Sequence, residues 1–362
     1  MTIITKATAL LADIAVETDR TDAVQSFVKQ ETILVTLATT DGIEGTGYAY
    51  TIGTGGTSVL ALLRDHLLPL LAGKDARNVE GLWQELFGLT RATTTGAITS
   101  LALAAIDTAL WDLRCKRAGE PLWRLAGGHR REIPVYDTEG GWLHLGTEEL
   151  VASALAAKEA LFSGVKIKVG KPRAAEDAER LRAVREAVGP SFHIMTDANQ
   201  SQSLSSAVRL AAALEPYDPY WLEEPMPADD ISGHARLARS TRIPIAVGES
   251  MYAPMQFRGY LESGAASVVQ VDVARVGGIT PWLKVAHLAE TFNVQVCPHF
   301  LMELHVSLVA AVPNGAYVEY IPQLRAVTRT EMTVRDGLAV APDEPGIGID
   351  WDLDAIDLRR VS

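Results

Sequence analysis

The sequence predicts an α/β protein, a closed (β/α) barrel of TIM type preceded by a smaller α+β unit. Three observations lead there. Eight short apolar runs recur between residues 133 and 320, separated by amphipathic stretches such as AEDAERLRAVREAVG. Their spacing of about 25 residues fits barrel units, and strands alternating with helical patterns imply a parallel sheet. The first third of the chain lacks this rhythm. Nearly every apolar run in the middle ends in an ionisable group, and barrel sites are assembled at the C-terminal ends of strands.

Taken in order, residues 3–14, 31–39 and 45–52 have strand character, with the turn signal TTDG between the last two. Helical patterns follow at 56–72, 78–89 and 96–117, the last Ala- and Leu-rich and stopped by Gly119. The barrel runs are IPVYDT (133–138), VKIKV (165–169), HIMTD (193–197), YWLEE (220–224), IPIAVGE (243–249), SVVQVD (267–272), VQVCPH (294–299) and YVEY (317–320). In the tail, GLAVAP and PGIGIDWD read as short extended pieces. The expected division is 1–125, 126–325 and 326–362.

With 362 residues and 48% hydrophobic content, the chain can bury a large core without disulfides. Cys115 and Cys297 are too few for a disulfide framework and read as buried apolar groups. A net charge of −12 argues against nucleic-acid binding. The N-terminal stretch lacks signal-peptide features, and no apolar run reaches membrane-spanning length, so a cytoplasmic soluble protein is expected.

Val165, Ile167 and Val169 occupy one face of a strand, which places Lys166 and Lys168 together on the other. Asp197, Glu223 and Glu249 close three consecutive strands, each 26 residues after the last. Adjacent strands lie ~4.8 Å apart, so the three carboxylates can converge, where a divalent cation would relieve their repulsion. All-oxygen ligation favours Mg²⁺ first and Mn²⁺ second. The alternative is that each acid caps a helix. Glu224, out of phase with Glu223, should point away from the lumen.

A neighbouring ammonium and a cation would both push a lysine pKa down, toward a base; the alternative is a structural ion pair. Asp272 and His299 end adjacent strands, and a carboxylate beside an imidazole fixes its tautomer. His144, in GGWLH, is a candidate ligand contact, while the remaining histidines read as surface or core groups. Glu319 either donates to a ligand oxygen when protonated or pairs with a lysine. Asn199 in DANQ is a polar neighbour of the metal or of Lys168.

KIK at 166–168, DANQ at 197–200, WLEEP at 221–225, GES at 248–250, DVARVGGIT at 272–280, PHF at 298–300 and PGIGIDW at 345–351 jointly resemble the enolase superfamily, mandelate racemase subgroup. The resemblance implies a (β/α)₇β barrel under an N-terminal α+β capping domain, with the C-terminal tail returning to the cap. It implies Mg²⁺-assisted removal of the proton α to a carboxylate, with an enediolate stabilised by the metal. Asp197, Glu223 and Glu249 become the ligands, Lys168 one base with Lys166 beside it, and His299–Asp272 the pair on the opposite face. Glu319 matches a donor to the substrate carboxylate.

GGWLH and PHFLMELHVSL are most similar to the acid-sugar dehydratases, especially those acting on talarate or galactarate. That implies a small-molecule carboxylate, an aldarate by preference, and a 2-keto-3-deoxy acid as product. Subgroup members often form homo-oligomers. Rival readings are a racemase or epimerase, a lactone cycloisomerase, a non-catalytic barrel and a metal-dependent hydrolase. The capping segments 15–27 and 90–96 depart from the pattern, and the candidate specificity residues are Tyr50 in the 45–52 strand, Arg91 in the second of these segments and Tyr136 on the first barrel strand.

Overall fold

A computed structural model describes residues 2–93 and 96–361. Three antiparallel strands, β1 (Ile4–Ala15), β2 (Lys29–Thr39) and β3 (Glu44–Thr51), form the cap sheet in sequence order. The cap helices are α1 (Gly56–Leu62), α2 (Val79–Leu89), α3 (Ala97–Ala118) and the short α4 (Leu122–Leu125). The single helix expected over 56–72 widens after α1 into a π turn at Leu63–Leu67 and then tightens into a 3₁₀ turn at Leu68–Leu71. Pro69, with no N–H to donate, sits in the first turn of the 3₁₀ segment, where that donor is not needed.

The barrel strands are β4 (Glu132–Asp137), β5 (Gly164–Lys168), β6 (His193–Asp197), β7 (Trp221–Glu223), β8 (Ile245–Val247), β9 (Val268–Val269), β10 (Gln295–Val296) and β11 (Val318–Tyr320). Each pairs in parallel with the next from β4 to β10, and β11 pairs in parallel with β4. A bridge between Val296 and Gly315 closes the ring. Helices α5 (Thr147–Glu159), α6 (Ala174–Val188), α7 (Leu204–Leu214), α8 (Ile231–Ala238), α9 (Pro254–Glu262), α10 (Ile279–Thr291) and α11 (Met302–Ala311) follow the first seven strands, giving the (β/α)₇β order. Several strands are shorter than their apolar runs. Asp272 and His299 each lie three residues beyond the paired segments of β9 and β10.

The lower lumen is filled by Tyr136, Met195, Trp221, Ala246, Val268, Cys297 and Tyr317, all buried. Both cysteines are free and buried. The tail forms a hairpin, β12 (Thr333–Arg335) and β13 (Leu338–Val340), with β13 antiparallel to the start of β4. PGIGIDWD forms no strand. It is held by single bridges, Pro121 to Gly346 and Thr328 to Trp351. After α12 (Leu353–Leu358), the Val361 amide donates to Leu11 O at 2.8 Å, so the chain end lies along β1. Among the described residues, no helix is long and apolar enough to cross a membrane.

Cap and barrel dock through α3. Gly47 on β3 lets this helix approach closely, because a Cβ there would lie 2.3 Å from Ala105 O. On the same helix, Asp107 accepts the Thr280 amide at 2.8 Å and the Thr280 hydroxyl at 2.7 Å. A cap carboxylate thus serves the N-terminus of barrel helix α10, where unpaired amides and the helix dipole favour negative charge. Asp107→Ala strands a buried amide and should cost about 2 kcal/mol in denaturant unfolding. A loss below about 0.5 kcal/mol, within the range of ordinary surface changes, would show that this contact does not hold the units together.

Candidate active site

The site forms where strand alternation meets the barrel mouth. On β5, Lys166 and Lys168 point inward and are 1% and 4% exposed. Lys166 Nζ lies 2.7 Å from Glu319 Oε1, 3.2 Å from Glu223 Oε1 and 3.7 Å from Asp197 Oδ2. Lys168 is paired with Asp197 Oδ2. Gly141 permits the chain after β4 to pass this close, since a Cβ on it would collide with Lys166 O. Gly141 O in turn accepts the Lys168 amide at 2.7 Å.

Asp197, Glu223 and Glu249 each offer an oxygen within 4.8 Å of the others, and all three are buried. Burial and the Asp197 charge push the Glu223 carboxyl well above its ordinary range. Glu249 is held low against its burial by His299, Arg275 and the lysines. Glu249 Oε2 is buried without a hydrogen-bond donor. Three gathered carboxylates, one resisting ionisation and one with a bare oxygen, fit a hard divalent cation. Glu224 turns from the triad to Ser250, accepting its amide at 3.1 Å and its hydroxyl at 3.0 Å.

Burial acts to lower both lysine pKa values, but Glu223 and Glu319 around Lys166, and Asp197 beside Lys168, outweigh it and raise both, whereas the expected lowering draws on a cation held by these same carboxylates. The carboxylates stand closer to each ammonium than sequence alternation alone conveys.

On the far side of the ring, His299 Nδ1 lies 3.0 Å from Asp272 Oδ2 and Nε2 lies 3.4 Å from Glu249 Oε2. The Tyr50 hydroxyl crosses from the cap to donate to the same Asp272 oxygen at 2.7 Å. The Ala274 and Arg275 amides donate to Asp272 Oδ1 at 2.8 and 3.0 Å. Burial opposes ionisation of Asp272, but the His299 bond and charge prevail and lower its pKa. An ionised Asp272 fixes the His299 proton on Nδ1 and leaves Nε2 toward the site.

Immediately after His299, Phe300 and Leu301 have φ of 64° and 26°. Such backbone is costly for non-glycine residues and persists where surrounding structure enforces it. Here it aims the Phe300 amide at Glu319 Oε2, 2.8 Å away. Glu319 Oε1 also accepts from the Thr138 hydroxyl at 2.7 Å. Burial would raise the Glu319 pKa, but Lys166 and His299 bring it to about 2. The lysine-paired alternative therefore describes Glu319 here, and an ionised carboxylate only accepts.

Asn199, with its amide 2.9 Å from Asp197 Oδ1, lines the cavity above the triad. Tyr136 does not reach that cavity. Its register partner on β5 is Gly164, two inward steps below Lys168, and its ring packs edge-on against Trp221. His144 is exposed and bonds the Thr21 hydroxyl through Nδ1 at 2.7 Å, away from the cavity. Arg91 is exposed on a 3₁₀ turn, and Thr94 and Thr95 of the 90–96 segment lie outside the described residues. His305 is a satisfied core group, accepting the Val273 amide at 3.1 Å with Nδ1 3.0 Å from Phe300 O.

Three residues at the site escaped the sequence reading. Arg275, three positions past Asp272, binds Glu249 Oε1 at 3.2 Å and Glu249 O at 3.0 Å. Its place in a strand-end motif was the available signal. Trp142 places its ring 5.4 Å from Lys168 Nζ. Asp22 comes from the irregular segment between β1 and β2, where no periodicity marks it. That segment closes over the mouth: the Leu143 amide donates to Thr21 O at 3.0 Å, and Gly170 leaves room for Ala23. Asp22, Gln25 and Phe27 then line the cavity with the barrel groups. About 20 Å³ of free space remains, room for roughly one water. A sugar-sized ligand requires this segment to move, as active-site lids do.

Two family models match the chain, "Mandelate racemase / muconate lactonizing enzyme, N-terminal domain" over residues 9–127 and "Enolase C-terminal domain-like" over 149–355. L-Talarate/galactarate dehydratase of Salmonella typhimurium is 36% identical over 316 residues, 87% of this chain and 79% of that protein. The 3,6-anhydro-alpha-L-galactonate cycloisomerase of Streptomyces coelicolor is 37% identical over 332 residues, 91% of this chain and 92% of that protein. A crystal structure of the Salmonella dehydratase liganded with Mg and L-lyxarohydroxamate superposes with a TM-score of 0.95, at 32% identity, covering 100% of this chain and 93% of that one.

Proposed function

Because the chain belongs to the mandelate racemase / muconate lactonizing enzyme family of the enolase superfamily, we propose that it is a hydro-lyase that dehydrates a sugar acid. Asp197, Glu223 and Glu249 would hold a divalent cation, Mg²⁺ before Mn²⁺, which when bound supplies positive charge that offsets these carboxylates and favours ionisation of a carbon acid. Lys168, in its neutral form once the Asp197 charge that keeps it protonated is taken over by the bound cation, takes the proton α to the substrate carboxylate on Nζ. Lys166, held by Glu319, keeps a fixed positive charge beside the carboxylate that gains negative charge. His299, carrying a second proton on Nε2 beside the one that Asp272 holds on Nδ1, gives the Nε2 proton to the departing β-hydroxyl, with Asp272 and Tyr50 holding the ring in place. Loss of water leaves an enol that becomes the 2-keto-3-deoxy acid. The closed capping segment keeps bulk water from the ionised substrate.

One observation carries this reading: Lys168 and His299, from strands three places apart round the closed barrel, touch different members of one acidic triad. The same pair could return a proton to the opposite face, and a cycloisomerase stands among the similar proteins. A panel of aldonates, aldarates and anhydro-sugar acids, incubated with Mg²⁺ in D₂O, separates these outcomes. A ketone with loss of water is the expected result. Deuterium uptake with inversion and no ketone, or ring rearrangement without loss of water, would replace the dehydratase reading by an isomerase.

A further inference from the structure

Building on the sugar-acid reading, we infer that the substrate carries a single carboxylate and ends in uncharged hydroxyl or ring oxygens. This departs from the diacid suggested by the sequence resemblance.

The chemistry occupies the barrel mouth, so the rest of the substrate meets what the cap adds. The cap's contribution to the cavity is Asp22, Gln25, Phe27 and Ile52, and none of these is basic. Asp22 is fixed in place, because its Oδ1 accepts the Val24 and Gln25 amides at 2.7 and 2.8 Å. That leaves Oδ2 to accept from a hydroxyl. Arg20, two residues earlier, is tied to Glu139 and to Pro322 O, so it does not supply a cation to the cavity.

The barrel cations are already engaged. Lys166 is paired with Glu319, Lys168 with Asp197, and Arg275 with Glu249. Six carboxylates at the site, Asp22, Asp197, Glu223, Glu249, Asp272 and Glu319, face these three cations. In the reacting state, with Lys168 neutral as the base and His299 doubly protonated as the acid, a dication would leave the site one charge negative. One substrate carboxylate is compensated locally by the dication and Lys166. A second would stand near Asp22, where the cation acting on that carboxylate is Lys168, the group that must be neutral to serve as base. The Phe27 and Trp142 rings, 5.7 Å apart, instead offer apolar faces to sugar C–H groups.

The test is calorimetric binding, with Mg²⁺ present, of matched acids that differ only at the terminal carbon: galactonate and galactarate, gluconate and glucarate, mannonate and mannarate. The protein as it stands should bind the better monoacid at least about tenfold more tightly than its diacid. Asp22→Asn keeps the acceptor for the loop amides and should narrow that gap by about fivefold or more, through tighter diacid binding. Equal or tighter diacid binding, an unchanged ratio in Asp22→Asn, or no binding of any pair would overturn the inference. Product analysis runs alongside. A bound monoacid that yields no 2-keto-3-deoxy product sinks the dehydratase reading and leaves the charge preference standing.

Discussion

Lys168→Ala should lower kcat by about 10³-fold or more, and it should abolish exchange of the substrate α-hydrogen with D₂O. A positioned acid or base contributes roughly 10²–10⁴-fold, and no nearby group substitutes for this one. Lys166, the nearest amine, is committed to Glu319 at 2.7 Å and Glu223 at 3.2 Å. His299→Asn should stop product formation by a comparable factor and yet retain α-hydrogen exchange, because in the proposed order the lysine acts first. The two variants together therefore test the order as well as the residues. Exchange lost in His299→Asn and kept in Lys168→Ala would reverse the assignment. Activity in Lys168→Ala above about a tenth of the parent would remove the lysine from the mechanism. Removing one partner of a buried ion pair is destabilising by ~3–5 kcal/mol, so folding is checked by thermal unfolding with Mg²⁺ present, where Asp197 regains a counter-charge.

The strand-end groups were legible because two periodicities coincide. Side chains alternate along a strand, and barrel units repeat at near-constant length, so Asp197, Glu223 and Glu249 had to arrive at one rim. The ring of eight parallel strands and the cap sheet followed from the same patterns. What alternation does not carry is height and distance. Tyr136 points inward like Lys168 but lies two steps lower, within the apolar filling of the lumen. The rise in the Lys166 pKa draws on Glu223 first and then on Glu319, which reaches it from β11 only because the barrel closes. Contacts between the two units are further still from sequence reasoning. Tyr50 meets Asp272 across 222 positions, and Asp22 reaches the mouth from a loop without periodicity. Nothing local in either segment encodes its partner, since the pairing is set by how α3 docks the cap on the barrel.

Chelation should abolish turnover, by about a hundredfold or more, and Mg²⁺ should restore it. The prediction follows from the triad's electrostatics rather than from ligand type alone. Asp197, Glu223 and Glu249 crowd oxygens within 4.8 Å in a buried space, and Glu223 resists ionisation under the Asp197 charge. A cation that binds the folded chain and not the unfolded one must stabilise it, by about 2.7 kcal/mol at a hundred times its Kd. Mg²⁺ should therefore raise the unfolding midpoint, and Glu223→Gln should shrink that rise, because the site loses a charged ligand. This second readout needs no turnover, so it separates loss of the metal from loss of a base. A midpoint indifferent to Mg²⁺, together with activity that survives chelator, would mean that the three carboxylates serve the lysines as structural counter-ions. In that case the carbon acid would have no cation to ionise against, and the proposed chemistry would fail at its first step.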